Sequence, residues 1–289
     1  MATLLIYGFT NSAVYMLYAI GFGFTYGVSG VANFCHGGIY ILSGYLFWCL
    51  LRLAGLPFFL SAVLAIILTA LLGLGIYYGL LIRVRGLILA EIIITFALGI
   101  AILEFLYWIG VYGMEYSLPS FIRGGIEIRG VGLDYQRLFV VGMGLVLIVF
   151  LWFFSHHTRA GLACRAISQE ERTALSLGIE SDWTAALSLA LGGALAAIAA
   201  LVVLPLGVME AAQGYEILIY ALTVVVVGGL GSTMGIVVAS FVIGYSQLIM
   251  AHFISAEWMT VVPLVFVILI LLTKPSGLFG KFKELEERV

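Results

Sequence analysis

Apolar runs of about 20 residues recur from one end of this chain to the other, the length an α-helix needs to cross a hydrocarbon core roughly 30 Å thick. They lie near Leu4–Gly27, Val31–Leu51, Phe58–Ile82, Leu87–Tyr112 and Leu138–Phe154, and again at Trp183–Leu204, Ile217–Leu230, Ile236–Phe253 and Val261–Thr273. In hydrocarbon every backbone N–H and C=O must be paired within the protein, which leaves only helices and closed barrels. A barrel would show short segments alternating apolar and polar, and these runs do not alternate. The chain therefore reads as all-α: a polytopic transmembrane helix bundle of about eight or nine membrane segments, some of them broken or re-entrant. Composition agrees. Of 289 residues, 63% are hydrophobic and 10% charged, against about half and a quarter in soluble domains. No linker divides residues 1–289, which read as a single transmembrane domain. The first run has no basic region before it and is expected to stay as a span rather than be removed as a signal peptide.

One long polar segment, Ser155–Asp182, is set between spans. Its 28 residues hold seven of the 28 charges. A few residues suffice to turn a chain around, so this segment is expected to be a handle for something in water. Basic residues near span ends fix orientation. Arg83 and Arg85, then Arg159, Arg165 and Arg172, then Lys274, Lys281, Lys283 and Arg288 form three clusters, all placed in the cytoplasm. The loop 113–136 then falls outside, although its Arg123 and Arg129 are offset by Glu115, Glu127 and Asp134. Its stretch IRGGIEIRGVGL alternates around glycines, a pattern for a small hairpin.

Within the polar segment, a helix over Leu162–Gly178 would place Arg165, Ser168, Gln169, Arg172 and Ser176 on one face. Ala163, Ala166, Ala174 and Leu177 would lie on the other. Gly178 is well placed to end it. Such a helix either docks in a groove on a cytoplasmic partner or rests on lipid headgroups. The small apolar residues favour docking slightly.

Two glycine-rich breaks interrupt apolar sequence: GVSGVANFCHGG at Gly27–Gly38 and GGLGSTMG at Gly228–Gly235. Standing in opposite halves, they suggest an internal repeat, and paired breaks often mark a transporter's pathway. Asn33 and His36 are polar within the first break, where such groups face a bundle interior or water. They either line a path or form a satisfied pair tying two helices together. Gly30 and Gly37 permit unwound backbone or close helix approach. In the second break Gly228, Gly229 and Gly231 do the same, and Ser232 can satisfy freed backbone groups; GYE at Gly214–Glu216 stands upstream. Two acids fall inside the fourth run. Glu91 is near Arg83 and Arg85 and is expected to form an ion pair there. Glu104 is deeper and is the intramembrane polar candidate.

No GxxxxGK[ST], HExxH or GxSxG occurs, so no P-loop and no familiar catalytic motif is present. The chain is not expected to be an enzyme or to hold a cofactor. Cys35, Cys49 and Cys164 form no CxxC pair and point to neither a disulfide nor a metal site. A net charge of −2 argues against nucleic acid as a partner.

Together these strings resemble one family. GVANFCHGG is similar to the "G-V-x-N-F-x-H-G" signature of ABC importer permeases for branched-chain amino acids. RAGLACRAISQEERTALSLGI resembles that family's cytoplasmic "R-x-G-x-A-x-R-A … A-x-x-x-G-I". GGLGSTMG resembles "G-G-x-G-S-x-x-G", and KPSGLFG resembles "R-P-x-G-L-F-G". The order and spacing fit over essentially the whole chain, and the NFCHGG form resembles the shorter of two permease types. The resemblance implies a second permease subunit, usually in a heterodimer, two cytoplasmic ATP-binding subunits, and an extracytoplasmic substrate-binding protein. It implies inward transport across a bacterial or archaeal cytoplasmic membrane. It also makes Arg159–Ile179 the coupling helix seated on an ATPase, with Arg165, Ala166, Ala174 and Gly178 matching directly.

Three positions depart from the pattern. Gly38 stands where most relatives carry an acid, Glu170 where an Asp is frequent, and Ala212 where Pro is frequent before GYE. Gly38 removes a charge beside the expected pathway. It leaves the substrate open among branched-chain amino acids, amides, urea and aromatic or other small carboxylates. The rival reading is an ion-coupled secondary transporter acting without ATPases, for which Glu104 would be the coupling acid.

Overall fold

The computed structural model describes residues 2–111, 116–128 and 130–280. Glu115, Arg129, Lys281, Lys283 and Arg288 lie outside the described residues. The chain runs α1 (Ala2–Ser29), α2 (His36–Arg52), α3 (Phe58–Gly79), α4 (Ile88–Trp108), a hairpin of β1 (Gly125–Ile128) and β2 (Val131–Asp134), and α5 (Tyr135–His157). It continues through α6 (Arg159–Gln169), α7 (Glu171–Ser176), α8 (Ser181–Val203), α9 (Gln213–Gly228), α10 (Thr233–Phe253) and α11 (Val261–Thr273). Seven helical stretches among the described residues are long and apolar enough to cross a membrane. The helices α2 and α9, of 17 and 16 residues, fall short of that length. The expected bundle of eight or nine segments is thus seven full spans and two shorter helices.

Helix α8 is the axis of the bundle. Its sequence is mostly Ala, Leu and Gly, and nearly its whole length is buried. Between helices in lipid, association depends on backbones approaching closely, so small residues gather at the contacts. Accordingly Gly193 of α8 faces the Thr69 carbonyl of α3, and Gly21 of α1 faces the Gly192 carbonyl. Thr25 Oγ1 donates to the Ser188 carbonyl at 3.1 Å and so ties α1 to α8. In contrast, α4, α5 and α11 bury only a few residues each and turn apolar surface outward, as helices facing lipid or a second subunit must.

The hairpin expected from the glycine alternation is present, antiparallel, with Ile126 opposite Leu133. It is anchored from both sides. Tyr7 Oη donates to the Gly132 carbonyl at 2.7 Å. Buried Gln136 accepts from Phe121 N at 2.9 Å and donates to the Val202 carbonyl at 2.7 Å. The start of α1 therefore sits at the hairpin end of the bundle. The clusters at Arg83–Arg85 and Arg159–Arg172 lie at the opposite end, where Arg85 contacts Glu171 and Asp182.

Candidate coupling and pathway sites

The polar segment folds as two helices rather than the single helix over Leu162–Gly178 that its periodicity suggests. Glu170, with φ −150° and ψ 97°, breaks it. Thr158 caps the first helix, accepting from Gly161 N at 2.9 Å. The second opens with Glu171, an acid at the positive end of a helix dipole. Its carboxylate accepts from Ser181 Oγ at 2.6 Å, and this tertiary contact accompanies the break. Gly178 does end the segment. The Gly178 N–H donates to the Leu175 carbonyl and the Ile179 N–H to the Ala174 carbonyl, a Schellman closure with glycine at φ +81°.

Burial divides the segment's residues. Gly161, Cys164, Ile167 and Ala174 turn into the bundle, and Ala174 is only 2% exposed. Ala166 is half-buried, while Arg165, Glu170, Arg172 and Gly178 are exposed. So are Leu162, Leu175 and Leu177, the last at 75%. The exposed surface therefore carries charges of both signs beside leucines, and Ala174 fastens α7 beneath it.

Arg85, in the turn between α3 and α4, joins this segment to the spans. It contacts Asp182 at the head of α8 and donates to Tyr77 Oη of α3 at 2.5 Å. It also donates to Ser181 Oγ and stands 3.6 Å from the Glu171 carboxylate. Tyr77 Oη in turn donates to Asp182 at 2.6 Å. The expected pairing of Arg83 or Arg85 with Glu91 is not what forms. Glu91 is buried and caps its own turn, accepting from Gly86 N at 2.8 Å. Sequence reasoning missed Tyr77, Glu171, Ser181 and Asp182. Placing Arg85 on the same side as the polar segment already offered those acids as partners.

The first break is real. Helix α1 stops at Ser29, Gly30 has φ +70°, and α2 begins at His36. Asn33 and His36 are both buried, but their side chains bond to backbone rather than to each other. Asn33 Oδ1 accepts from Cys35 N at 3.1 Å, and His36 Nε2 lies 2.9 Å from the Tyr18 carbonyl. His36 thus ties α2 to α1. Gly37 sits where a side chain would overlap the Gly214 carbonyl, so the first break and the upstream GYE meet. A β-carbon on Gly38 would approach the Gly99 carbonyl of α4 to 3.0 Å. A side chain at Gly38 would need α4 to give way by a few tenths of an ångström, so glycine suits the close approach of α2 to α4 here.

In the second break Gly228 faces Gly235, and Gly229 has φ +104°. Ser232 caps α10, accepting from Gly235 N at 3.0 Å, as expected for a residue that relieves freed backbone. The tail KPSGLFG lies along this turn. Leu278 N donates to the Val227 carbonyl at 2.9 Å and Phe279 N to the Gly228 carbonyl at 3.0 Å. Two strings distant in sequence are thus one packed unit. A small recess beside the first break is lined by Phe34, Gly38, Phe96, Leu103, Tyr215 and Leu218. Glu104 is exposed, accepts from Tyr215 Oη at 3.4 Å, and lies little more than one turn from the end of α4. Among the described residues no group of His, Cys, Asp or Glu is arranged to hold a metal.

Known proteins match this arrangement over nearly its full length. The sequence profile of the family described as "Branched-chain amino acid transport system / permease component" matches residues 4–272. The high-affinity branched-chain amino acid transport system permease protein BraD of Pseudomonas aeruginosa is 30% identical, covering 96% of this chain and 95% of that protein. LivH of Escherichia coli K12, with the same description, is 28% identical, covering 95% and 94%. A probable LivH of Methanocaldococcus jannaschii is 27% identical over 93% and 89%. The solved structure of PsaBC from Streptococcus pneumoniae in complex with Fab superposes with a TM-score of 0.52. It covers 96% of this chain and 94% of that one at 16% identity, a likeness of fold alone. The chain belongs to the family of branched-chain amino acid transport system permease components.

Proposed function

We propose that this chain is the membrane-spanning permease subunit of an ATP-driven importer in a bacterial or archaeal cytoplasmic membrane. Its cargo is a small apolar amino acid of the branched-chain type, the substrate named for its relatives BraD and LivH. It works with a second permease subunit, two cytoplasmic ATP-binding subunits and an extracytoplasmic binding protein. The observation that carries this reading is the exposed surface of segment 155–182. Arg165, Arg172, Leu175 and Leu177 are exposed on a helix pair whose other side is packed on the spans. Exposed leucines set among charges suit a groove on a protein partner, and this supports the docking reading.

In this reading Arg165, Glu170 and Gly178 face the ATPase, while Ala166 and Ala174 hold the segment in place. Closure of the ATPases drives rigid-body movement of the bundle around a path between the two permeases. The path borders the recess by Gly30, Asn33, His36 and Gly37, and the turn at Gly228, Gly229, Gly231 and Ser232 is a packing hinge at its cytoplasmic end. The loop 113–136 receives the loaded binding protein. Ion coupling through Glu104 has less support, because that acid is exposed near a helix end rather than enclosed at mid-membrane.

Uptake by proteoliposomes containing the assembled transporter tests the function. Radiolabelled leucine accumulates with ATP inside and the binding protein outside, and an ion gradient alone gives no uptake. Uptake driven by a sodium or proton gradient without ATPases would overturn the reading.

A further inference from the structure

We propose that Arg85 is a positioning residue that latches the cytoplasmic helix pair to the α3–α4 turn, so that displacement of the docked segment is carried into α4. This rests on the reading of segment 155–182 as the ATPase-facing element. Three helices meet the guanidinium borne by the α3–α4 turn. Tyr77 comes from α3, Glu171 from the start of α7, and Ser181 and Asp182 from the start of α8. The hydroxyls act as relays. Tyr77 Oη accepts from Arg85 and donates to Asp182 at 2.6 Å. Ser181 Oγ accepts from Arg85 and donates to Glu171 at 2.6 Å. One cation faces two carboxylates through a planar fork, which a flexible ammonium does not reproduce.

Beyond Arg85 the connection continues through short backbone links. Gly86 N donates to Glu91 at 2.8 Å, fixing the head of α4 to the turn that bears Arg85. One turn further, Thr95 Oγ1 accepts from Phe34 N at 3.3 Å. Gly99 then sits so close to Cys35 that a β-carbon would stand 3.1 Å from the Cys35 Cα. The far end of this chain of contacts is the first break, beside the recess. An isolated surface ion pair contributes little to stability; a five-member junction of four elements constrains how they move relative to one another.

The test uses the assembled importer in proteoliposomes and reads leucine transported per ATP hydrolysed, with co-purification of the ATPases measured on the same preparations. Arg85→Ala is expected to keep the complex and its ATP hydrolysis, while leucine per ATP falls about tenfold. Arg85→Lys is expected to recover part of that loss, and Glu171→Gln, a milder change, to show a smaller one. The proposal is overturned if the ratio in Arg85→Ala stays at the wild-type value, or if Lys is as poor as Ala. It is also overturned if Arg85→Ala releases the ATPases, which would make Arg85 part of docking itself. Failure of the coupling reading shows elsewhere, as a complex that survives Arg165→Glu, so the two results are separable.

Discussion

Gly27 near the end of α1 and Gly231 in the α9–α10 turn touch with no side chain between them: a β-carbon on Gly27 would stand 3.0 Å from the Gly231 Cα. The two glycine-rich breaks, far apart in sequence, are thus neighbours at the end of the bundle where α1 stops. The C-terminal KPSGLFG strand lies on the same turn. A larger residue at position 27 must push α1 and the α9–α10 turn apart. Gly27→Val is expected to cost about 1–3 kcal/mol, the range for overpacking a close contact, read as a lower unfolding temperature in detergent. Gly75, whose β-carbon would meet open space, is the control, and Gly75→Ala should leave that temperature in place.

Ser232 caps α10 through Gly235 N. Removing the hydroxyl leaves one of the helix's first N–H groups unpaired, so Ser232→Ala should destabilise by about 1 kcal/mol, with Ser232→Thr retaining most of the cap. Thermal unfolding of the two variants side by side checks this.

Cys164 reports on how the polar segment packs against the spans. It faces the bundle, and burial pushes its thiol up from an ordinary value of 9.0 to about 11. The neutral thiol is the form the fold favours. Its contribution to holding the segment is complete below about pH 9 and is lost as pH rises through about 11. Maleimide should react slowly with Cys164 at pH 7, because thiolate is scarce and access is closed. Ala174→Asp, which places a charge under α7, should open the segment and raise the labelling rate at unchanged pH. Fast labelling of the parent protein would contradict this packing.

Glu104 is exposed on α4 and shares a hydrogen bond with Tyr215. On the pathway, a carboxylate at this position would meet the ammonium of an incoming amino acid. Glu104→Gln should raise the leucine KM by about tenfold, the loss of one charge-assisted contact, with unchanged unfolding temperature. An unchanged KM would place Glu104 off the path.

Much of this architecture is legible in the sequence because hydrocarbon imposes a length. The apolar runs mark the helices, the alternation around Gly124, Gly125 and Gly130 marks the hairpin, and Gly30 marks the end of α1. Elements that depend on distant partners are not legible in this way. Nothing local breaks the helix at Glu170; the break accompanies a contact between Glu171 and Ser181, ten residues on. Glu91 stands close enough in sequence to suggest an ion pair with Arg85, yet the backbone N–H of Gly86 is nearer to it, and Arg85 is claimed by residues from α3, α7 and α8. Asn33 and His36 have the spacing of a pair on one helix face, but the chain is not helical between Gly30 and Asn33, and each finds a backbone partner instead.

The most direct test is whether segment 155–182 holds an ATPase. Tagged protein carrying Arg165→Glu together with Leu175→Glu, both at exposed positions, is purified beside the parent with the ATP-binding subunits co-expressed. The account predicts normal yield and unfolding temperature, loss of the ATPases from the purified complex, and loss of ATP-dependent leucine uptake. A variant that retains its ATPases and transports leucine at the parent rate would contradict it.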